Sequence, residues 1–229
     1  MERYIKFIVV VIIIFSPILA NAHPEDYKNF RKIDMNVYKD GKIIGFSNYI
    51  FNYDNKILEV INETKFVVNV LGLKVFSIQS RGQEKYFKNK LISYKSKTMQ
   101  NEKEKYVNLK LSKNKNVFEI EGSSYKGISD TSSIIGNWWN HDILEAKSQI
   151  SPLSGSIKKQ IVSYIGEEII KINKTKYITK HYKIISKNSN TPENKKLNFD
   201  IWYDEEKNLI IKVSYEKLGN WEYKLKNYE

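Results

Sequence analysis

Apolar and polar residues alternate with a period of two along most of the chain. Between Leu58 and Val70, apolar side chains and Thr64 share one parity, while charged and amide side chains mostly share the other. The same alternation recurs at 107–111, 118–121, 209–215 and 221–225. Successive side chains of a β-strand point to opposite faces of a sheet, so the pattern predicts strands with one buried face.

Turn signals between these segments predict an antiparallel order. Asp40-Gly41 separates two β-like runs, and glycine accepts the positive φ that a tight hairpin needs. A turn around Gly219-Asn220 joins the last two runs, and with Phe199–Tyr203 they form a three-stranded meander. We therefore predict one mainly β domain over residues 23–229.

The segment Ser129–Ser156 has no period-two alternation. Its part Asn140–Gln149 is predicted to form two to three helical turns that end before Pro152. A long connection inside a compact domain is often a lid or a binding loop. The adjacent indoles Trp138 and Trp139 are the candidate ligand-binding residues there, and packing of both in the core is the alternative.

Residues 1–22 have the parts of a cleavable export signal. Arg3 and Lys6 precede an apolar run, and Ala20-Asn21-Ala22 is an A-x-A cleavage site. The alternative is an uncleaved anchor, but about 13 apolar residues interrupted by proline are short for a bilayer, which needs about 20. We expect a mature protein that begins at His23, is periplasmic or secreted, and has no further transmembrane segment.

The amino-acid composition limits the kinds of site and partner that the protein can have. The chain has no cysteine, which excludes disulfides, thiolate metal sites, cysteine nucleophiles and lipidation through an N-terminal cysteine. The net charge is +12, yet only three of the 38 basic residues are arginine, the residue that reads phosphate bidentately. A lysine-coated surface is the first interpretation and attraction to anionic lipid the second; we expect no nucleic-acid partner.

The three histidines carry no recognisable catalytic or metal motif. His23 has an N-terminal amine after cleavage and is a weak copper ligand candidate, whereas His181 shares its parity with Lys183 and is predicted to face solvent. His141-Asp142 lies beside the tryptophans, and a helix N-terminus capped by Asn140 or Asp142 is favoured over a catalytic pair.

Adjacent carboxylates are also expected to be non-catalytic. Glu167-Glu168 and Asp204-Glu205-Glu206 are predicted to lie at turns, where exposed acids are common. Since no phosphate-binding glycine loop accompanies them, we predict no enzyme activity, no metal site and no cofactor.

The chain resembles an exported bacterial family, family 6134 among the domains of unknown function. The resemblance is carried by Val37-Tyr38, Asp40-Gly41, Ile44-Gly45, Glu84-x-Tyr86-x-x-Asn89-x-Leu91, Ser96-x-Thr98, Trp139-Asn140, Trp202-Tyr203-Asp204 and Glu222-Tyr223-x-Leu225. Departures are Tyr86, where tryptophan is typical, and Lys88-Asn89 and Gly219-Asn220, where Asp-Gly is typical.

The family pattern is similar to the lipoprotein-carrier fold of LolA and LolB. That similarity implies a strongly curved antiparallel sheet, a half-barrel whose open face is crossed by a short helical lid. We therefore expect a non-enzymatic periplasmic carrier of an apolar or lipid-like ligand. The alternative is a structural or adaptor protein of the cell envelope, with a filled core and another envelope protein as its partner.

Overall fold

The computed structural model describes residues 27–229, so the predicted export signal at 1–22 and His23 lie outside the described residues. These residues form fifteen strands. Their bounds are β1 Lys32–Lys39, β2 Lys42–Asp54, β3 Ile57–Val70, β4 Leu73–Phe87, β5 Lys90–Gln100, β6 Lys103–Ser112, β7 Val117–Gly122, β8 Tyr125–Asp130, β9 Ile134–Ile135, β10 Ser148–Ile150, β11 Ile157–Ile172, β12 Thr175–Ser186, β13 Asn198–Asp204, β14 Leu209–Glu216 and β15 Asn220–Tyr228.

All fifteen strands belong to one sheet, in the order β8-β7-β6-β5-β4-β3-β2-β1-β15-β14-β13-β12-β11-β10-β9. Neighbouring strands are antiparallel, except that the short β9 and β10 pair in parallel. The chain runs through β1–β8 as a meander, and β15 returns to pair with β1. The predicted mainly β, antiparallel half-barrel is confirmed.

The sheet curls until its two edges approach each other. The edge strands β8 and β9 are joined by residues 131–133 alone, and four peptide steps span at most about 14 Å. The hydroxyl of Ser133 is 2.7 Å from that of Ser129 in β8 and 2.7 Å from that of Ser148 in β10. The sheet is therefore strongly curved, and side-chain hydrogen bonds rather than a strand ladder join its edges.

The backbone also closes the gap between the edges where β7 turns into β8. A Cβ atom on Gly122 would lie 2.5 Å from the carbonyl oxygen of Ser154, so only glycine permits this approach. Facing it, Gly155 has a φ of +79°, and the amide of Ser124 donates to the Ser154 carbonyl at 3.0 Å. The end of the 129–156 connection is thereby fixed to the opposite edge of the sheet.

The interior contains three apolar clusters. The largest is formed by β1–β7, β14 and β15, the second by β12–β14, and the third lies near the β3–β4 and β14–β15 turns. The 129–156 connection crosses the open face and adds fully buried side chains to the first two clusters: Ile135, Trp139, Ile143 and Ile150.

The predicted helix of the connection is shorter than expected. Residues His141–Leu144 form a single 3-10 turn, and Asn140 caps it by accepting the amide of Asp142 at 3.0 Å. The helical prediction for 145–149 is wrong, because residues 148–150 form β10 and the side chain of Gln149 is buried there against Gln160. Among residues 27–229, no helix has the length and apolar character needed to span a bilayer.

Candidate functional site

Trp138 and Trp139 lie in different parts of the interior. Trp139 is 1% exposed, and its ring meets those of Tyr27, Phe51 and Tyr86 edge-on at centroid distances of 4.9, 5.4 and 5.8 Å. Trp138 is half-buried and packs against the rings of Phe199 and Tyr223. Trp139 thus belongs to the first apolar cluster, whereas Trp138 packs against both the first and the second, and a ligand-binding role for either remains a prediction.

A buried carboxylate lies beneath the connection. Glu84 in β4 is 2% exposed, and its Oε1 accepts the indole N–H of Trp139 at 2.9 Å and the side-chain amide of Asn137 at 2.6 Å. The hydroxyl of Tyr86 donates to Oε2 at 2.5 Å. Burial raises the pKa of Glu84, against the lowering effect of these three hydrogen bonds. We call Glu84, Tyr86, Asn137 and Trp139 the inner cluster.

Sequence reasoning did not select Glu84 as a site residue, although a signal was present. Glu84 shares its parity in β4 with Ile78, Ser80 and Tyr86, and this is the buried face of the strand. A carboxylate on the apolar parity of a long strand is unusual because burying a charge is costly. The pattern alone was therefore enough to identify it as a candidate.

Tyrosine and glutamine side chains hold the rest of the connection. The hydroxyl of Tyr49 accepts the backbone amide of Trp138 at 3.1 Å, and burial raises the pKa of Tyr49 to about 12. Tyr94 donates to the carbonyl of Pro152 at 2.9 Å. The amide of Gln160 in β11 donates to the carbonyl oxygens of Ile143 and Ala146 at 2.8 and 2.9 Å.

His141 is enclosed by tyrosines. Its Nδ1 is hydrogen-bonded to the hydroxyl of Tyr27, and its backbone amide donates to the same oxygen at 3.1 Å. Its ring stacks on Tyr203 with 4.8 Å between centroids. The expected position at a helical N-terminus is correct, since His141 begins the 3-10 turn that Asn140 caps.

The space beneath the connection is filled by its own side chains. Two clefts of the described residues lie elsewhere, and one of them, of about 400 Å³, is lined by Tyr53, Lys56, Lys88 and Asn89. A second, of about 360 Å³, lies beside Lys147 and Lys187. Both are open and bordered by lysines, so neither matches an enclosed apolar site.

A second group of charged side chains lies on the opposite face of the sheet. The ring nitrogens Nδ1 and Nε2 of His181 lie 2.7 Å from Glu168 and 3.0 Å from Asp200. The ring stacks on Trp202 at 4.5 Å, and the Trp202 indole donates to Glu168 at 2.8 Å. We call His181, Glu168, Asp200 and Trp202 the outer cluster. Each ring nitrogen of His181 therefore faces a carboxylate oxygen.

The outer cluster corrects two expectations. His181 faces outward, but its side chain is only 13% exposed because Trp202 and two carboxylates cover it. Glu167-Glu168 was expected at a turn and instead lies inside β11, whose 16 residues alternate weakly because both of its faces are partly exposed. Of the acids expected at a turn in Asp204-Glu205-Glu206, Glu205 and Glu206 lie in the turn between β13 and β14, whereas Asp204 ends β13 and is only 3% exposed.

The hydrogen bonds of Trp202 and then His181 lower the pKa of Glu168. Burial raises the pKa of Asp200, but hydrogen bonds from Lys183 and His181 outweigh it and the net shift is downward. Within residues 27–229, histidine, cysteine, aspartate and glutamate side chains form no group of three or more that could hold a metal ion.

Comparison with known proteins places this geometry in context. The model of a family described as domain of unknown function DUF6134 matches residues 35–226, which confirms the resemblance. A crystal structure from Brucella abortus, described as a β-barrel-like protein of domain of unknown function DUF1849, aligns with a TM-score of 0.59 at 9% identity. The alignment covers 87% of this chain and 96% of that one. No match was found among curated proteins.

Proposed function

Since the chain belongs to the DUF6134 family, a domain of unknown function, we propose from its β-barrel-like fold that it is a non-enzymatic binding protein of the cell envelope. Its ligand is apolar and lipid-like, and it binds in the curved sheet beneath the 129–156 connection. The observation that carries this proposal is the position of Trp139, whose indole occupies an aromatic interior while its one polar atom is held by Glu84.

Binding requires the ligand to replace the connection. A tryptophan buries 150–250 Å². At about 25 cal/mol per Å², withdrawing Trp139 from the interior costs about 4–6 kcal/mol. Each buried methylene returns about 0.8 kcal/mol, so an acyl chain of about eight or more carbons offsets that cost. Shorter apolar molecules do not, and the proposal therefore includes a preference for long chains.

Glu84 supplies a polar contact for such a ligand. When the connection moves, its carboxyl loses the Trp139 and Asn137 donors and keeps only Tyr86. A carboxyl whose pKa is raised by burial is protonated more readily, and the protonated form donates one hydrogen bond. An ester or amide carbonyl near the head of an acyl chain matches that donor.

The test uses a fluorescent fatty-acyl probe, mass spectrometry of lipid carried by the purified protein, and two variants. Trp139→Ala removes the side chain that competes with the ligand, so we expect lower stability, by about 3–5 kcal/mol, together with tighter probe binding. Trp221→Ala is the matched control, because Trp221 is also buried but lies in the third cluster. We expect it to lose stability without a gain in probe affinity.

The filled interior favours the second candidate, an adaptor or structural protein of the envelope. Ile135, Ile143 and Ile150 are buried with Trp139, so the closed form already has a packed core. If the wild type carries no lipid, binds no probe, and Trp139→Ala gains none, the carrier proposal is wrong and the adaptor takes its place.

Export is part of the same proposal. The signal-like residues 1–22 support cleavage after Ala22, which releases a chain that begins at His23. Intact-mass measurement of protein recovered from the periplasm or the culture medium is expected to give residues 23–229. Recovery of the full-length chain in the membrane fraction alone would contradict it.

A further inference from the structure

Hairpin turns at the two ends of the sheet differ in chemistry. The turns β2–β3, β4–β5, β6–β7, β11–β12 and β13–β14 share one end, and each contains an asparagine with positive φ: Asn55, Asn89, Asn116, Asn173 and Asn208. The opposite end holds the β1–β2, β3–β4, β5–β6, β7–β8 and β14–β15 turns and the β12–β13 loop, and there too one turn has an asparagine with positive φ, Asn101. Two of the turns at this end, β3–β4 and β14–β15, have leucine at the equivalent conformation, which no turn at the first end has, so we call it the leucine end.

Leu71 and Leu218 adopt a backbone conformation that disfavours leucine. Their φ angles are +52° and +51°, in the left-handed region where asparagine or glycine is preferred. Their side chains are 98% and 95% exposed, so packing in this chain does not compensate for that preference. Exposed leucine at two such turns, where the other end uses asparagine, points to a contact outside the chain.

The β3–β4 hairpin extends beyond its neighbours. The ladder with β2 ends at Phe66 and the ladder with β5 ends at Ile78, whereas β3 and β4 stay paired as far as Val70 and Leu73. Leu71 lies five residues beyond Phe66, which is about 16 Å along the strand. The exposed apolar side chains of this ribbon and the adjoining β1–β2 turn are Val70, Leu71, Leu73, Val75 and Ile43.

Three lysines lie close together near the Leu218 turn. Lys217 directly precedes Leu218, Lys158 is the second residue of β11 at the same end, and Lys195 lies in the loop between β12 and β13. The ammonium of Lys158 donates to the backbone carbonyl of Lys195 at 2.7 Å. Burial and the positive charges of Lys217 and Lys195 lower the pKa of Lys158, so the three charges are close enough to repel.

We propose that the leucine end docks on an anionic lipid bilayer, with Leu71, Leu73 and Leu218 inserted among the acyl chains and the lysines on the headgroups. Apolar side chains on a rigid hairpin gain free energy by leaving water, and nearby lysines gain it from anionic lipid. The inference does not depend on a ligand beneath the 129–156 connection, because none of these residues belongs to the inner cluster.

A second copy of the chain is the competing occupant. Two leucine ends brought face to face would juxtapose the Lys158, Lys195 and Lys217 charges of both copies, which repel. An anionic bilayer instead neutralises them. The charge at this end therefore favours lipid over self-association.

The experiment measures co-sedimentation of residues 23–229, which contain every described element, with phosphatidylcholine vesicles that contain or lack phosphatidylglycerol. The test variant is Leu71→Asn with Leu218→Asn. Asparagine suits the left-handed conformation, so this variant is expected to melt at the same temperature as the wild type or higher. The control is Ile178→Thr, since Ile178 is 72% exposed in β12 near the opposite end.

We expect the wild type and Ile178→Thr to bind the anionic vesicles, less tightly as salt is added, and to bind the neutral vesicles weakly. The double variant is expected to bind at least about tenfold more weakly. If it fails to fold, Leu71→Gly with Leu218→Gly replaces it, because glycine also accepts these φ angles. Equal binding by wild type and double variant, absence of vesicle binding, or a dimer that the leucine substitutions dissociate would each overturn the proposal.

Discussion

The inner and outer clusters contain the same chemistry in opposite environments. Each joins a glutamate to an indole N–H, at 2.9 Å for Glu84 and Trp139 and 2.8 Å for Glu168 and Trp202. Burial raises the pKa of Glu84, whereas the Trp202 hydrogen bond and His181 lower that of Glu168. The indole hydrogen bond lowers the pKa in both clusters, and the net directions differ because burial outweighs the hydrogen bonds at Glu84 but not at Glu168.

This difference separates what each cluster does for the fold. Three neutral donors hold Glu84 in the interior, and two of them, Asn137 and Trp139, come from the 129–156 connection. The carboxylate is thus the polar link between β4 and the connection. Glu168 instead bonds to His181 in the adjacent β12 and to Trp202 one strand further, in β13, and Asp200 bonds to His181 and Lys183 in the adjacent β12. The outer cluster thus reinforces a ladder that backbone hydrogen bonds already hold.

Among substitutions of the carboxylates in the two clusters, the largest expected effect is the loss of the Glu84 carboxyl. Glu84→Ala leaves the donors of Trp139, Asn137 and Tyr86 without their acceptor and opens a cavity, and we expect a loss of about 3–4 kcal/mol in the free energy of unfolding. The matched change Glu168→Ala on the outer face is expected to cost about 1 kcal/mol or less. Urea unfolding measures both, and equal losses would show that the two clusters do not differ as described.

A smaller effect is expected when the shape of Glu84 is kept and its charge removed. In Glu84→Gln the amide oxygen still accepts from Asn137 and Trp139, and the amide nitrogen donates to the Tyr86 oxygen. An acid whose pKa is raised by folding binds its proton more tightly in the folded state. Wild-type stability therefore decreases as pH rises above the unfolded pKa of about 4.3 and levels off above the folded pKa.

The Glu84→Gln variant lacks this decrease in stability with rising pH. Relative to the wild type, Glu84→Gln is expected to become more stable as pH rises from about 4 toward neutrality. Melting temperatures across this range measure the difference, and Glu59→Gln, at a carboxylate paired with Lys85 near the surface, is the control. A constant difference between wild type and Glu84→Gln at all pH values would contradict the raised pKa.

The strands were largely predictable because alternation is local. β3, β14 and β15 follow the parity of their sequences, since one face is apolar and the other polar. The strand β11 is less predictable from its sequence. The face that holds Glu168 is polar because the outer cluster lies there, and several isoleucines of the strand are exposed. Parity alone does not reveal a strand with mixed surroundings.

The inner cluster was less predictable because its contacts are distant in sequence. Asn137 and Trp139 are 53 and 55 residues from Glu84, and only the curl of the sheet brings them together. The tryptophans were identified from their adjacency, but no local signal says that one donates to a buried acid. The positive φ angles of Leu71 and Leu218 were likewise not predictable, because leucine before glycine at a turn resembles an ordinary end of a strand.

The smallest expected effect lies in the outer cluster, where the pH dependence is reversed. Lys183 and His181 outweigh burial and lower the pKa of Asp200 in the folded state. Its contribution to stability is present above the unfolded pKa of about 3.9 and is lost as pH falls through the folded pKa. Asp200→Asn is therefore expected to cost about 0.5–1 kcal/mol near neutral pH, and the difference from wild type is expected to vanish in acid. Glu206→Gln, at an exposed turn carboxylate, is the control, and its stability is expected to change little at any pH.

Added salt weakens exposed ion pairs, so the cost of Asp200→Asn also decreases at high ionic strength, whereas that of Glu84→Ala does not. A cost for Asp200→Asn that persists in acid and in salt would mean that its side chain supports the sheet by packing, and the electrostatic distinction between the two clusters would then fail.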